Sequence, residues 1–454
     1  MSSLVEERAP QTAGRAARLA MLDALGMPLL AILLAFVGGA LIIWATSGDF
    51  GTVLAAYEGM ISGAFIKTRG FSETLVATTP YIFLGLGLAI GFKAGLFNIG
   101  AEGQFYIGAI SAVWAGIVFT GLPAILHLPI VMLAGALGGA LWAGIPGFLK
   151  ARTGAHEVIT TMMMNYIAFR LTEFLVSVPL RDTLSSAVQT LRVSPNAELW
   201  SLWQIPQRLS DRLNALAVAI FFAALALALA RWFVARGDMA TRLTLSRRRV
   251  VVGGTGLAVG ALAFFGLPAL TQVWWPFSDQ YDRLHIGIVI ALAAAAAVWW
   301  LMYKTTLGFE MRTVGANPSA ARYAGINISR NILITMALSG ALAGIAGTIE
   351  VLGVSICRCL PLFFSSGYGF DSIALALLAK NNPIGIVGGA FLFGAMRNGA
   401  DLMELNSGVS KYVISLIQGL VLLFVAAPSM VRYLLRMRAA RKIEEEAPLT
   451  RGWG

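Results

Sequence analysis

Two short stretches place hydrogen-bonding side chains between long apolar runs. The first reads Ala94-Gly95-Leu96-Phe97-Asn98-Ile99-Gly100-Ala101-Glu102-Gly103-Gln104. The second, Gly367-Tyr368-Gly369-Phe370-Asp371-Ser372, opens a short apolar segment. Backbone inside a bilayer must satisfy its own polar groups, so an interruption survives only where protein buries it or a wet cavity borders it. Paired interrupted segments in two halves of a chain point to a transport pathway. Phe97, Asn98, Glu102, Gln104, Phe370 and Asp371 are therefore the candidate pathway residues. Aromatic faces and neutral hydrogen-bonding groups suit a polar, partly aromatic solute. Asn98 has a second reading, as the cap of a helix starting near Ile99 with Glu102 in its first turn. The two roles are compatible.

Covalent chemistry finds no support. No Walker A sequence, dinucleotide fingerprint, His-Glu-x-x-His or acid-rich metal motif occurs. His127, His156 and His285 lie far apart, so no catalytic or metal cluster is expected. Cys357 and Cys359 form a Cys-x-Cys, too few ligands and the wrong spacing for zinc, and read as ordinary packing residues. His156-Glu157 reads as a helix start, with Glu157 at the positive end of the dipole.

The elements that position these residues follow from composition. The chain has 454 residues, 57% hydrophobic and 13% charged, against about 25% charged in a soluble domain. The fold class is all-α, a polytopic membrane bundle of about 10–12 transmembrane helices with discontinuous helices near the pathway. Apolar runs fall near 27–46, 73–92, 102–121, 124–148, 157–178, 214–234, 250–271, 285–303, 331–352, 368–379 (short), 384–402 and 411–428. Residues 52–65 are apolar but short, either re-entrant or interfacial. The division is 1–26, a cytoplasmic segment; 27–430, the transmembrane domain with an apparent inserted hairpin at 214–271; and 431–454, a cytoplasmic tail. Met1 to Asp23 is too long and too polar for a secretory signal. Most Lys and Arg fall in alternate loops, which puts both termini in the cytoplasm. The net charge of +11 is thus topological, and no nucleic-acid partner is implied. Tryptophans at 200, 203, 274 and 275 fit interfacial anchoring. Glycine pairs at 87/91, 135/139, 340/344 and 385/389 suit close helix contacts. Arg397 and Asp401 read as an i,i+4 pair, and Glu173 and Glu350 as residues reaching water at outer helix ends.

One inner loop is long among short ones. It holds Gly308, Arg312, Gly315, Asn317, Ala321, Arg322 and Gly325. Asn317-Pro318 can start a short helix that Gly325 ends.

Four ordered motifs resemble the permease subunits of bacterial ABC importers for simple sugars and nucleosides, nearest the nucleoside type. They are Gly95–Gln104, Glu157-Val-Ile-Thr-Thr-Met-Met-Met-Asn165-Tyr166, Gly308–Gly325 and Gly367–Leu378, and the likeness covers about 70–180 and 284–430. It implies inward movement of nucleosides, or of simple sugars, by alternating access, and no enzyme activity in this chain. It also implies a second homologous permease as heterodimer partner, cytoplasmic ATPase subunits that bind the ATP, and an external substrate-binding lipoprotein, all at the bacterial inner membrane. Gly308–Gly325 would be the coupling helix that meets the ATPase. This sequence departs from the family pattern at His156, where Asn is usual, and in the added hairpin 214–271. The alternative is an ion-coupled secondary transporter of a small polar solute, which would need a mid-membrane carboxylate such as Glu102.

Overall fold

The computed structural model describes residues 9–236, 245–277 and 279–427. The tail 431–454 and the basic turn near 237–244 lie outside the described residues. Among the described residues the fold is helical, with only isolated β-bridges between loops. Among the described residues seven helices are long and apolar enough to cross a membrane, and the chain is a multi-pass membrane protein.

Helix α1 (Ala9–Ser47) is continuous across the expected boundary at 26 and contains the span Pro28–Ser47. Asp49 then caps α2 (Phe50–Ile61), accepting from the backbone N–H groups of Gly51 and Thr52 at 3.0 and 3.1 Å. A π-turn at Ser62–Ile66 leads to a sharp reversal at Arg69, whose φ is +65°. The short apolar stretch is thus a helix, and Gly59 and Gly63 seat it on the last turns of α15 (Pro383–Ser407).

Helix α3 (Gly70–Lys93) is the axis of the molecule. Its apolar window is 89% buried, against 28% for α5 (Ala124–Thr153). Against it pack α15, α13 (Ile328–Ile349), α10 (Gly287–Lys304) and α4 (Ala101–Val118), while α6 (Glu157–Ser177) packs on α4 and α5. Helices α4, α5 and α13 meet along glycines. Gly108, Gly135, Gly139, Gly340 and Gly344 lie so close that a Cβ on any of them would collide with the facing helix. Small residues allow backbone-to-backbone contact where lipid supplies no hydrophobic drive. The 135/139 and 340/344 pairs therefore do what their spacing suggests.

The hairpin α8 (Arg212–Arg236) and α9 (Leu245–Val273) follows a short α7 (Ile205–Ser210). Each of its spans is only 17% buried, and its helices meet through Gly256 on Leu227 and Gly260 on Ala223. It lies at the periphery of the bundle. The bundle has two ends. One, the base, gathers Lys93–Gly100, Thr153–His156 and Thr305–Asn327; Ser329 Oγ donating to Ala151 O at 3.3 Å ties two of these together. The other, the top, holds the loops 178–211 and 274–286. There Arg283 grips Glu73 at 2.6 Å. The Arg69 guanidinium, hydrogen-bonded to Asp279, holds that exposed carboxyl below its ordinary range.

Candidate functional site

The first interruption is built as a plug. After α3 the chain doubles back, with Leu96 N–H donating to Gly91 O at 2.9 Å. Gly95 adopts φ +73°, open to glycine at little cost. Asn98 is fully buried. Its amide donates to Gln104 Oε1 and Ser339 Oγ, both at 3.0 Å, and its Oδ1 accepts from Gly100 N–H and Gln104 Nε2, also at 3.0 Å. Four bonds fill that amide's capacity. The start of α4 is held from another helix. Asn165 of α6 accepts from Gly103 N–H at 2.8 Å and donates to Ile99 O at 2.9 Å. Gly103 makes room, since a Cβ there would lie 2.8 Å from the Asn165 oxygen. Sequence reasoning quoted Asn165 only as part of a motif. Its position eight residues after Glu157, on the buried stripe Thr161–Asn165–Ala168–Thr172, was the available signal. Phe97 stacks on Phe92 at 4.8 Å and is 39% exposed near the base.

The second interruption enters from the top. Helix α13 ends in a π-turn, Glu350–Val354, a local form often found at functional sites. The chain then runs beside residues 188–193, with Thr190 N–H donating to Leu360 O at 3.1 Å and Val193 N–H to Arg358 O at 3.0 Å. Cys357 and Cys359 are joined by a disulfide rather than merely packed, because the bend at Arg358, φ +53°, turns both sulfurs to one side. Gly367 at φ +91° then starts the short helix α14 (Tyr368–Leu378).

The two interruptions meet at Glu102. Its carboxylate accepts from Ser365 Oγ and from Gly369 N–H. Glu102 thus sits in the first turn of α4 and against the first turn of α14, at the positive ends of two helix dipoles. This explains a carboxylate only 2% exposed. Asp371, one turn into α14, accepts from Tyr81 OH of α3 at 2.9 Å. Arg397 of α15 donates to the same hydroxyl at 3.2 Å, and its guanidinium lies 3.6 Å from the Tyr368 ring centroid. Tyr81 and Tyr368 are themselves 4.7 Å apart. Arg397 therefore turns inward to α3 and α14 instead of pairing with Asp401, which faces Lys411 at 3.5 Å. Glu350 also departs from expectation. The π-turn draws it inward to 9% exposure, and its Oε2 has no hydrogen-bond partner. Glu173 does reach the surface, paired with Arg170 at 2.6 Å.

A cavity of about 650 Å³ opens beside this cluster. Tyr81, Ser365, Ser366, Asp371, Arg397, Asp401, Lys411 and Gln418 line it, with Phe363 and Tyr412 at its walls. Of the sequence-derived pathway residues only Asp371 lines it. Asn98, Glu102 and Gln104 stand behind it, and Phe370 is 45% exposed on another face. Tyr81, Ser365, Arg397 and Gln418 were missed as cavity residues, because nothing local in the sequence brings α3, α14, α15 and α16 (Tyr412–Ala426) together. The cavity lining mixes hydroxyls and the Gln418 amide with the carboxylates of Asp371 and Asp401 and the cations of Arg397 and Lys411. Among the described residues no group of His, Cys, Asp and Glu is suited to a metal.

The base presents a second feature. Thr305 Oγ1 accepts from Gly308 N–H at 3.1 Å and starts α11 (Thr306–Ala316). Gly308 lies against the backbone of Leu301 and Met302. Asn317 Oδ1 accepts from Ala320 N–H at 3.1 Å and caps α12 (Pro318–Tyr323), which Gly325 ends at φ +79°. The short helix is where the sequence puts it. The longer helix before it is an addition. Ala321 is buried and pins α12, while Arg322 is exposed and Tyr323 is 97% exposed. Arg312 and Lys93 both lie over the Tyr303 ring, at 5.3 and 5.4 Å. Gly315 touches the backbone of Lys93–Gly95 so closely that a Cβ would clash. The basal helices thus rest directly on the first interruption.

Comparison with known proteins gives a consistent result. Residues 70–426 match the family described as "Branched-chain amino acid transport system / permease component". The guanosine ABC transporter permease protein NupP of Bacillus subtilis is 35% identical over 409 residues, 90% of this chain and 95% of the relative. The nucleoside ABC transporter permease protein NupB of Lactococcus lactis is 30% identical, over 92% and 95% of the two chains. The glucose ABC transporter permease protein TsgB13 of Haloferax volcanii is 30% identical, over 88% and 87%. NupQ and NupC, further permease proteins of the first two organisms, are 24% and 25% identical. No solved structure matches. The chain belongs to the family of branched-chain amino acid transport system permease components.

Proposed function

We propose that this chain is the membrane-spanning permease subunit of a nucleoside importer, working by alternating access and driven by ATP hydrolysis on partner subunits. One observation carries the reading. The chain is similar over nearly its whole length to two nucleoside-type permeases; its interrupted helices also border a polar cavity lined by hydroxyls, an amide and both acidic and basic side chains. Asp371 and Gln418 suit ribose hydroxyls and base edges, and the exposed rings of Phe363 and Tyr412 supply aromatic faces. The likeness to a glucose permease supports simple sugars as the second reading. The ion-coupled alternative has lost its main support, since the first-matched relatives are ABC transporter permeases.

The base, rich in Lys and Arg, is the cytoplasmic side in this proposal, which places both termini there. The localisation is then the bacterial inner membrane. The ATPase would dock on α11 and α12, with Gly308, Arg312, Gly315, Asn317, Ala321, Arg322 and Gly325 shaping the surface. Motion there reaches the pathway through touching parts: Gly315 bears on Lys93–Gly95, that loop carries Asn98, and Glu102 holds α14. In this scheme Asn98 and Gln104 are framework, and Asp371 faces the solute. An external binding lipoprotein would deliver substrate to the top. The hairpin 214–271 is outside this machinery.

The test is uptake of labelled nucleoside by the complete complex in proteoliposomes, with and without ATP and binding protein. Uptake should require both. Uptake that follows an ion gradient and ignores ATP would overturn the proposal. Competition by sugars but not nucleosides would favour the second reading.

A further inference from the structure

Helix α5 leaves most of its apolar span unburied, and its outer surface is notched rather than smooth. An apolar cleft of about 490 Å³ opens between α5 and α13, lined by Leu137, Leu141, Gly144, Phe148, Leu149 and Leu333 among others. Glycine explains its depth. Gly135, Gly139 and Gly147 of the same helix are each pressed against α13, whereas a Cβ added at Gly144 would meet nothing within 4 Å. Close helix contact therefore accounts for the first three and leaves Gly144 without a partner, although glycine weakens an exposed helix. From Leu137 to Leu149 the helix rises about 18 Å at 1.5 Å per residue. That is close to one leaflet, half of a hydrocarbon core roughly 30 Å thick.

The lower end of the cleft is basic. On α5, Arg152 follows Phe148 by four residues and Leu149 by three; on α13, Arg330 precedes Leu333 by three and Ala337 by seven. Both spacings keep to one helix face, so each arginine stands about one turn below the cleft on one of its two walls. The walls are joined at this level, where Ser329 Oγ donates to Ala151 O at 3.3 Å. Arg152 and Arg330 are exposed, and among the described residues neither pairs with an acidic group. Lys150, on the opposite face of α5, is taken by Glu157 at 2.9 Å.

We propose that this cleft binds an anionic phospholipid of the leaflet on the basal side, with its phosphate between Arg152 and Arg330 and one acyl chain laid over Gly144 up to Leu137. The occupant follows from shape and charge together. The cleft opens sideways into the bilayer, is apolar over one leaflet's depth, and ends in two unpaired cations where headgroups begin. Basic residues at that level attract anionic headgroups. A free phosphate would use the arginines and leave the cleft empty. Held by both walls, the lipid would brace α5 on α13 directly behind α12. The proposal needs only a membrane-spanning chain and does not depend on the importer reading.

The test reconstitutes the full chain, alone and with its partner subunits, in phosphatidylcholine vesicles with a trace of phosphatidylglycerol carrying a diazirine on its acyl chain. After irradiation the adducts are mapped by peptide mass spectrometry. They should concentrate at residues 137–149 and 333–337, well above the exposed hairpin surface around Phe265, and unlabelled phosphatidylglycerol should compete them away. Gly144→Leu, which fills the cleft without a clash, should abolish them at an unchanged melting temperature. The double variant Arg152→Gln, Arg330→Gln should lower labelling roughly thirtyfold, about fivefold per arginine. Equal labelling around Phe265, or equal labelling of the cleft by a phosphatidylcholine probe, would reduce the site to ordinary bilayer contact and overturn the proposal. Unchanged labelling of either variant would overturn it too. Competition by inorganic phosphate, or loss of labelling when the ATPase is bound, would assign the arginines elsewhere and reject the lipid.

Discussion

The two interruptions look alike in sequence and differ in what their polar atoms do. At the first, Asn98, Gln104 and Ser339 consume one another's donors and acceptors, Asn165 consumes those of the Gly103 and Ile99 backbone, and all of it is buried. At the second, Asp371, Arg397 and Tyr81 are bonded together yet border open space. Polar residues at membrane depth therefore have two distinct uses. A closed set pays for a break in the helix; an open set can exchange partners with a solute. The difference is visible only when every bond is followed to its end.

The comparison can be broken from either side. The largest effect is expected from Asn165→Leu, which strands Gly103 N–H and Ile99 O. Each unsatisfied buried group costs about 1–3 kcal/mol, so the thermal midpoint and yield of the detergent-solubilised complex should fall sharply. A stable Asn165→Leu complex with impaired uptake would move the first interruption into the pathway. Next comes Arg322→Ala on exposed α12. Assembly should survive while substrate-stimulated ATPase falls by roughly tenfold, within the usual range of coupling energies; unchanged stimulation would remove α12 from the coupling surface. Gly315 is the poorer probe, because its Cβ would strike Lys93–Gly95 and disturb folding as well. The smallest effect belongs to Tyr81→Phe. Loss of one hydroxyl between Asp371 and Arg397 should cost about 0.5–1.5 kcal/mol, read as a several-fold lower uptake at nearly unchanged melting temperature. A collapse in melting temperature instead would make the second cluster a framework like the first.

Local chemistry made part of this legible in the sequence. Asn317-Pro318 and Gly325 delimit α12 because capping and positive φ are short-range demands. The glycine pairs on α5 and α13 announce close contact because their spacing is a property of one helix. Asp371 could be picked out as a charge opening a short apolar helix. Arg397 could not be placed, since its true partners, Tyr81 and Tyr368, are brought to it by tertiary structure, and its nearer neighbour Asp401 turns to Lys411. Glu350 misled for a related reason. A π-turn rotates it inward, and nothing in the surrounding residues forecasts one extra residue in a turn.

The most direct test of the account is nucleoside uptake per assembled complex for Asp371→Asn. This change keeps shape and can still accept from Tyr81 OH, but removes the carboxylate from the cavity. Uptake should fall by at least roughly tenfold, the equivalent of about 1.4 kcal/mol, with assembly and basal ATPase retained. Wild-type uptake by fully assembled Asp371→Asn complexes would contradict the claim that the second interruption forms the solute path.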